Sequence, residues 1–385
     1  MWRGSGVLTI GLWLVASFSI ACGRSTETAP SAPASKAPAA PNPTPATPAP
    51  DVREPAPAVA PRPTPAERGA ALYAQMCAVC HGEHGEGYKA DQAPMLAHPQ
   101  FLTTVSNSFL RVAIAHGRPG TTMSAWGTEL GGPLPPEDVI ALIVFLRTWQ
   151  TERMAVLDES PNTGNATRGA AIWKHECASC HAAKGKYLRL QNPELLDTAS
   201  NGFLRAAIRA GRAPTTMPAF ETKLRSPGIE DVVAYLRSIS AAAKPKALPV
   251  ALTPAPLPLG PVPLNPRGPE PADFARYPDM TPVASVWREY ARKARMVILD
   301  ARAPTDYATE HVAGAVSVPF YDPSPYLAKL PKNAWLVCYC GCPHAESGQL
   351  AMKLKAAGFE KVTVMDEGLW EWKDKSHPMR EGPKP

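Results

Sequence analysis

Two short segments carry the residues most suited to chemistry. Cys77-Ala-Val-Cys80-His81 and Cys177-Ala-Ser-Cys180-His181 each set two thiols two residues apart with an imidazole directly after. Zinc accepts such ligands but needs four of them, and near the second pair only His175 and His181 itself are at hand. A thiol–disulfide couple uses Cys-x-x-Cys but leaves the His in both segments unexplained. Covalent attachment of haem uses every residue. The two thiols reach the two vinyl groups on one porphyrin edge, and the next residue swings under the iron as its proximal ligand. The expectation is therefore two covalently bound haem c groups, on Cys77 and Cys80 with His81, and on Cys177 and Cys180 with His181.

The two segments belong to an internal repeat. Arg68-Gly-Ala-Ala-Leu-Tyr73 is matched by Arg168-Gly-Ala-Ala-Ile-Trp173, and Ser108-Phe-Leu-Arg111 through Gly117-Arg118 to Thr121-Thr122-Met123 by Gly202-Phe-Leu-Arg205 through Gly211-Arg212 to Thr215-Thr216-Met217. The Cys pairs stand 100 residues apart and the Thr-Thr-Met segments 94, so the second copy has a shorter loop. Met123 and Met217 hold equivalent places and are the candidate sixth ligands. Their rivals in the first copy are Met76, Met95, His84, His98 and His116; aligned by sequence, Met95 falls opposite Glu194 and His116 opposite Ala210. A Met/His pair raises the reduction potential and leaves no open iron position, which favours outer-sphere electron transfer over oxygen chemistry.

Elements must position these groups. Gly69 and Tyr73, like Gly169 and Trp173, stand four apart on a first helix, where a small residue admits a crossing helix and the aromatic packs beside it. Val139, Leu142, Phe145, Leu146 and Trp149 form the apolar stripe of a last helix that starts at Pro135-Pro136-Glu137. A domain of about 80 residues has a marginal core by itself, and a buried haem supplies apolar interior. Each copy resembles the small class I cytochrome c family. The resemblance implies two all-α cytochrome c domains, over 66–152 and 165–241, matured outside the cytoplasm.

Cues at the N-terminus point to export. Arg3 precedes an apolar run from Val7 to Ile20, short for a membrane span, which ends at Ala21-Cys22. Residues 1–22 read as a signal peptide. Ser19-Ile-Ala-Cys22 resembles a bacterial lipobox, which implies a lipid anchor on Cys22 and a location in the periplasm or cell envelope. Residues 23–65 are a Pro/Ala-rich spacer that cannot bury a core. The chain's 45 prolines are clustered, as expected of linkers between compact pieces. Its net charge of +6 over 385 residues shows no basic block, so nucleic acid is not an expected partner.

Beyond a second Pro-rich spacer, 242–271, the pattern changes. Met296-Val-Ile-Leu299, Trp335-Leu-Val-Cys-Tyr339 and Val362-Thr-Val-Met365 read as buried strands, and Ser347 to Ala357 as a helix stopped by Gly358, giving a parallel α/β sheet. Val297-Ile-Leu-Asp300-Ala-Arg302, Glu310-His311-Val-Ala-Gly314-Ala315 and Asp366-Glu-Gly368-Leu369-Trp370-Glu-Trp372 resemble the rhodanese family, within a domain spanning 272–385. The resemblance implies a thiolate at the end of the central strand that accepts a sulfane sulfur. Cys340, with Cys342 as the alternative, is the candidate, and Cys340 and Cys342 could instead form a redox pair or bind a metal with His344. Asp300, Arg302 and His311 read as structural. The Cys340–Ser347 loop carries no Arg, whereas thiosulfate-using relatives place a cation there. The whole reads as an exported di-haem electron carrier serving redox partner proteins, whose last domain either transfers sulfur from a small sulfur compound or is a docking or thiol-redox module.

Overall fold

The computed structural model describes residues 62–90, 92–182, 187–242, 265–277, 279–341 and 344–385. The export signal, Cys22, most of both Pro-rich spacers and Cys342 lie outside the described residues.

The first copy opens with α1 (Pro65–Leu72), capped by Thr64, whose hydroxyl accepts from Glu67 N while the Glu67 carboxylate reaches back to Thr64 N. The helix then widens into a five-residue π segment, Tyr73–Cys77, and closes as α2 (Ala78–His81). Next come α3 (Pro99–Thr104), α4 (Asn107–His116) and α5 (Pro136–Thr148). The second copy repeats this order as α6 (Ala166–Ile172), a π segment at Trp173–Cys177, α7 (Ala178–His181), α8 (Pro193–Thr198), α9 (Asn201–Ala210) and α10 (Glu221–Ala242). A break at Arg225, just before Pro227, divides α10 into a short first turn and the long closing helix. The π segments were not legible in sequence; in both copies they end on the first Cys of the pair.

The expected helix crossing is present twice. A Cβ on Gly69 would lie 2.1 Å from the Ala141 carbonyl oxygen, and one on Gly169 would lie 1.9 Å from that of Asp231. Tyr73 packs beside the first crossing, 5.4 Å from Phe145 and 5.1 Å from Trp149, and Trp173 lies 5.8 Å from Tyr235. Arg68 grips Asp138 through two bonds of 2.9 and 2.6 Å, and Arg168 grips Asp231 at 2.7 and 2.8 Å. At the other end of the last helix, Arg147 donates to the carbonyls of Leu102 and Val105, and Arg237 to those of Leu196 and Ala199, satisfying the open ends of α3 and α8.

The C-terminal domain runs β1 (Met280–Thr281), α11 (Val283–Ala291), β2 (Met296–Asp300), α12 (Pro304–Thr309), β3 (His311–Val312), β4 (Val316–Ser317), β5 (Trp335–Tyr339), α13 (Ala345–Ala356), β6 (Val362–Met365), α14 (Gly368–Asp374) and β7 (Met379–Arg380). The parallel sheet has the order β1-β6-β5-β2-β4, and β3 pairs antiparallel with β7. Both faces are covered, so its strands are apolar throughout. Val297, Leu299, Leu336 and Cys338 pack with Leu350 and Leu354 of α13; Met296, Ile298, Val337 and Tyr339 pack with Val286 of α11 and with Leu369 and Trp372 of α14. The helix expected from Ser347 starts two residues earlier, at Ala345, and Gly358 follows its end at φ +80°. The architecture is two all-α cytochrome c domains followed by an α/β rhodanese-like domain.

Candidate functional site

In each copy the π segment and the short helix after it present the Cys pair and the His. Cys77, Cys80, Cys177 and Cys180 are half-buried. Burial pushes the Cys77 thiol up to about 12; burial, with Glu176 and Cys180 adding, pushes the Cys177 thiol up to about 11. Among the described residues no group of three or more Cys, His, Asp or Glu is placed to hold a metal ion by itself.

The two imidazoles are oriented identically. His81 Nδ1 lies 2.9 Å from the Pro94 carbonyl and His181 Nδ1 lies 2.9 Å from that of Leu188. A carbonyl only accepts, so Nδ1 carries the proton and Nε2 keeps its lone pair for an iron. Burial holds both rings below the ordinary imidazole pKa, in the neutral form that ligation requires.

The Met loops are also superposable in their bonding. Arg118 N donates to Met123 O (2.8 Å) and Met123 N to Thr121 Oγ1 (3.1 Å); Arg212 N donates to Met217 O (3.0 Å) and Met217 N to Thr215 Oγ1 (3.3 Å). Each loop is pinned to the preceding helix, by Trp126 N to Ile114 O and by Phe220 N to Ile208 O. The rivals are placed otherwise. Met76 is core, His84 is exposed, His98 donates to Ala213 O and His116 faces Glu129. The sequence pairing of Met95 with Glu194 needs correction. Gln100 and Glu194 are both second residues of α3 and α8, and the His-binding carbonyls are Pro94 and Leu188, so Met95 stands opposite Arg189. The loop deletion falls earlier than sequence alignment places it.

One residue missed in sequence tests whether a haem fits. Arg118 is buried, yet its Nη1 and Nη2 have no hydrogen-bond partner, and burial pulls the guanidinium down to about 10 despite Glu194. Arg212, its counterpart, is pulled down to about 10 by burial as well, but it is only half-buried and its Nη1 donates to Gln100 Oε1 at 3.0 Å. An unpartnered buried guanidinium is costly unless an anion joins it. A haem c bound at the thiols, His and Met would bring two carboxylates, so the residues fit the group. The recurrence of Gly-Arg in both copies was the signal.

The copies meet across a near two-fold. α3 packs on α9 and α4 on α8. His98 Nε2 donates to Ala213 O (2.9 Å), and the equivalent Asn192 donates to Pro119 O (3.1 Å), the equivalent carbonyl. Phe109 and Phe203 stack obliquely at the centre, 5.4 Å apart, each under the guanidinium of its own copy, Arg118 or Arg212. Tyr88 and Tyr187, which follow the two Cys-x-x-Cys-His segments, meet edge to face at 5.5 Å.

In the third domain Cys340 follows β5 and is wholly buried, its Sγ 3.3 Å from Ser347 Oγ in the first turn of α13. Cys338 is buried in the strand. Asp300 accepts two bonds from the Arg302 side chain and one of 2.5 Å from Tyr339 Oη; His311 bonds the carbonyls of Tyr307 and Lys384. His344 is at φ +64°, its ring 3.0 Å from Asp366. One acid unread in sequence, Glu346, lies beside the thiol, and a second, Asp306, lies near Glu346. Burial pushes the Glu346 carboxyl well above the usual range, with Cys340 and Asp306 adding; burial raises Asp306 against the pull of Arg302 and Ser124.

Fold and side-chain pattern together define a multidomain c-type cytochrome joined to a rhodanese-like domain. The profile of the family described as cytochrome C oxidase, cbb3-type, subunit III matches residues 64–146 and 164–236, and that of the rhodanese-like domain matches 284–375. The chain thus carries tandem cytochrome c domains and a C-terminal rhodanese-like domain, and membership in the cytochrome c family implies covalently bound haem c. It is 23% identical over 192 residues to the cbb3-type cytochrome c oxidase subunit CcoP of Azospirillum sp., covering 44% of this chain and 61% of that protein. It is 36% identical over 90 residues to subunit FixP of Azorhizobium caulinodans, covering 23% and 29%. The chain therefore spans less than two thirds of the length of these relatives. A rhodanese-like domain from an Anabaena sp. protein superposes on 27% of this chain and 79% of its own, with 24% identity and a TM-score of 0.26. No helix among the described residues is long and apolar enough to cross a membrane.

Proposed function

We propose that the chain is an exported di-haem electron carrier, acting in the periplasm or cell envelope between redox partner proteins. One haem is held by Cys77, Cys80, His81 and Met123, the other by Cys177, Cys180, His181 and Met217. Haem iron supplies a one-electron couple when bound. The protein's part is to fix each proximal imidazole through its Nδ1 bond, to hold the Met loop through Thr121 or Thr215, and to meet the porphyrin's carboxylates with Arg118 and Arg212. The observation that carries this reading is the same bonding at the His and the Met loop in both copies, with an Arg at the same place beside each. Mass spectrometry of the mature protein from a host that attaches haem is expected to show two porphyrins, one on each Cys pair, and to report any lipid on Cys22. A colourless product would end the proposal.

For the third domain, Cys340 is proposed as the sulfur acceptor. Its thiolate, facing the N-terminal turn of α13, attacks the terminal sulfur of a sulfane donor such as inorganic polysulfide; the S–S bond breaks, the shortened polysulfide leaves and a Cys340 persulfide remains. Cyanide then takes the outer sulfur as thiocyanate and restores the thiolate. Thiocyanate formed by the wild type and lost in Cys340→Ser is the test. The complete burial of Cys340 favours a second reading, a non-catalytic docking module, for which neither protein forms thiocyanate.

A further inference from the structure

The turn at Gly341, next to Cys340, and helix α12 beside it are met by the first cytochrome domain, through the loop that carries Met123. Ser124, itself buried, donates its hydroxyl to Asp306 of α12. Thr305 Oγ1, one residue earlier, donates to Ala125 O at 3.2 Å. Trp126 packs 6.4 Å from Phe320 and 5.7 Å from Tyr321, and Gln75 of the first π segment donates to Tyr321 O at 3.2 Å. Over the reactive turn, a Cβ on Gly341 would touch Thr122 Cγ2 at 3.5 Å. On the His side, α2 lies against α13. Both the His-bearing and the Met-bearing segments of one cytochrome domain thus close on the turn next to Cys340.

We propose that the Thr121–Trp126 segment is the lid of the Cys340 pocket, so that addition of sulfur to Cys340 and docking of the Met123 loop exclude one another. Cys340 has no exposed surface, Thr122 lies over its neighbour Gly341 and Ser124 is tied to α12, so a sulfur added to Cys340 needs space in a closely packed region that this segment borders. Linkage makes the effect mutual. Sulfur on Cys340 displaces the loop that holds Met123, and any change that loosens this loop exposes the thiol. The consequence for sulfur transfer rests on the reading of Cys340 above; the closure itself does not, and the two fail separately.

The test is alkylation of the full-length holoprotein by iodoacetamide, followed at the Cys340 peptide by mass spectrometry, with the haem spectrum as the measure of folding. Ser124→Asp sets a carboxylate against Asp306 and breaks the seal; Thr122→Gly removes only the side chain above Gly341. Labelling tracks the open population, and about tenfold faster labelling is expected in Ser124→Asp, with a smaller rise in Thr122→Gly. Equal rates in all three proteins with unchanged haem spectra would overturn the lid. Inorganic polysulfide is the second probe. Loading of Ser124→Asp faster than wild type supports the lid, and equal, measurable loading of both overturns it. If polysulfide loads neither protein while iodoacetamide still separates them, the lid stands and the sulfur-acceptor reading falls.

Discussion

Phe109 and Phe203 occupy the same position in the two cytochrome copies and lie against one another, ring centroids 5.4 Å apart and 33° from parallel. The contact is the centre of the boundary, flanked by the reciprocal bonds of His98 and Asn192. A tilted aromatic pair contributes about 0.5–1.5 kcal/mol beyond its area. A double-mutant cycle on Phe109→Leu and Phe203→Leu, read by thermal unfolding, is expected to return a coupling of that size. Additive losses would place the two rings in independent units.

The crossings at Gly69 and Gly169 leave no room for a methyl group. Gly69→Ala is expected to cost about 1–3 kcal/mol, the ordinary range for overpacking. Gly120→Ala is the control for loss of a glycine, since a Cβ there meets nothing within 4 Å although φ is +77°. Urea unfolding followed by haem absorbance separates the two, with the larger loss at Gly69.

Met123 and Met217 are each proposed to ligate one haem. Replacing either by His changes the axial pair to two nitrogens and is expected to lower one midpoint potential and leave the other in place. A spectroelectrochemical titration resolves the two couples. Met95→Leu, which removes a rival, is expected to leave both unchanged.

Acid is expected to weaken the second copy through two carboxylates. Glu230 lies below its ordinary range because Arg205 hydrogen-bonds it, and Asp231 because Arg168 does. A depressed folded pKa means that the unfolded chain binds protons first. The stabilisation is therefore complete above the ordinary carboxylate range, about pH 4, and is lost as pH falls through the depressed values. Acid unfolding followed by circular dichroism tests this. In Glu230→Gln/Asp231→Asn the pH dependence over that interval is expected to shrink, with stability at neutral pH also lower.

Much of this was legible because it repeats. The Cys pairs, the His residues, Gly69 with Tyr73 and the Met loops each occur twice in register, and the strands of the third domain are short apolar runs bounded by turns. The π segments were hidden because no residue type marks a widened turn. Met95 was mispaired because a deletion inside a loop leaves no residue to mark its place. Ser124 and Asp306 were unreadable for another reason: they are separated by 182 residues, and neither belongs to a periodic pattern. Glu346 was unread for a related reason: only packing shows that it is buried beside Cys340.

The reciprocal contact between the copies has the form of a symmetric homodimer written into one polypeptide. Two free subunits would come apart on dilution; a covalent tether makes their encounter unimolecular and independent of protein concentration. Fusion also frees the two halves from identity. A homodimer must place the same side chain on both sides of its axis, whereas here His98 faces one carbonyl and Asn192 the other, so mutation can tune one copy without altering its twin.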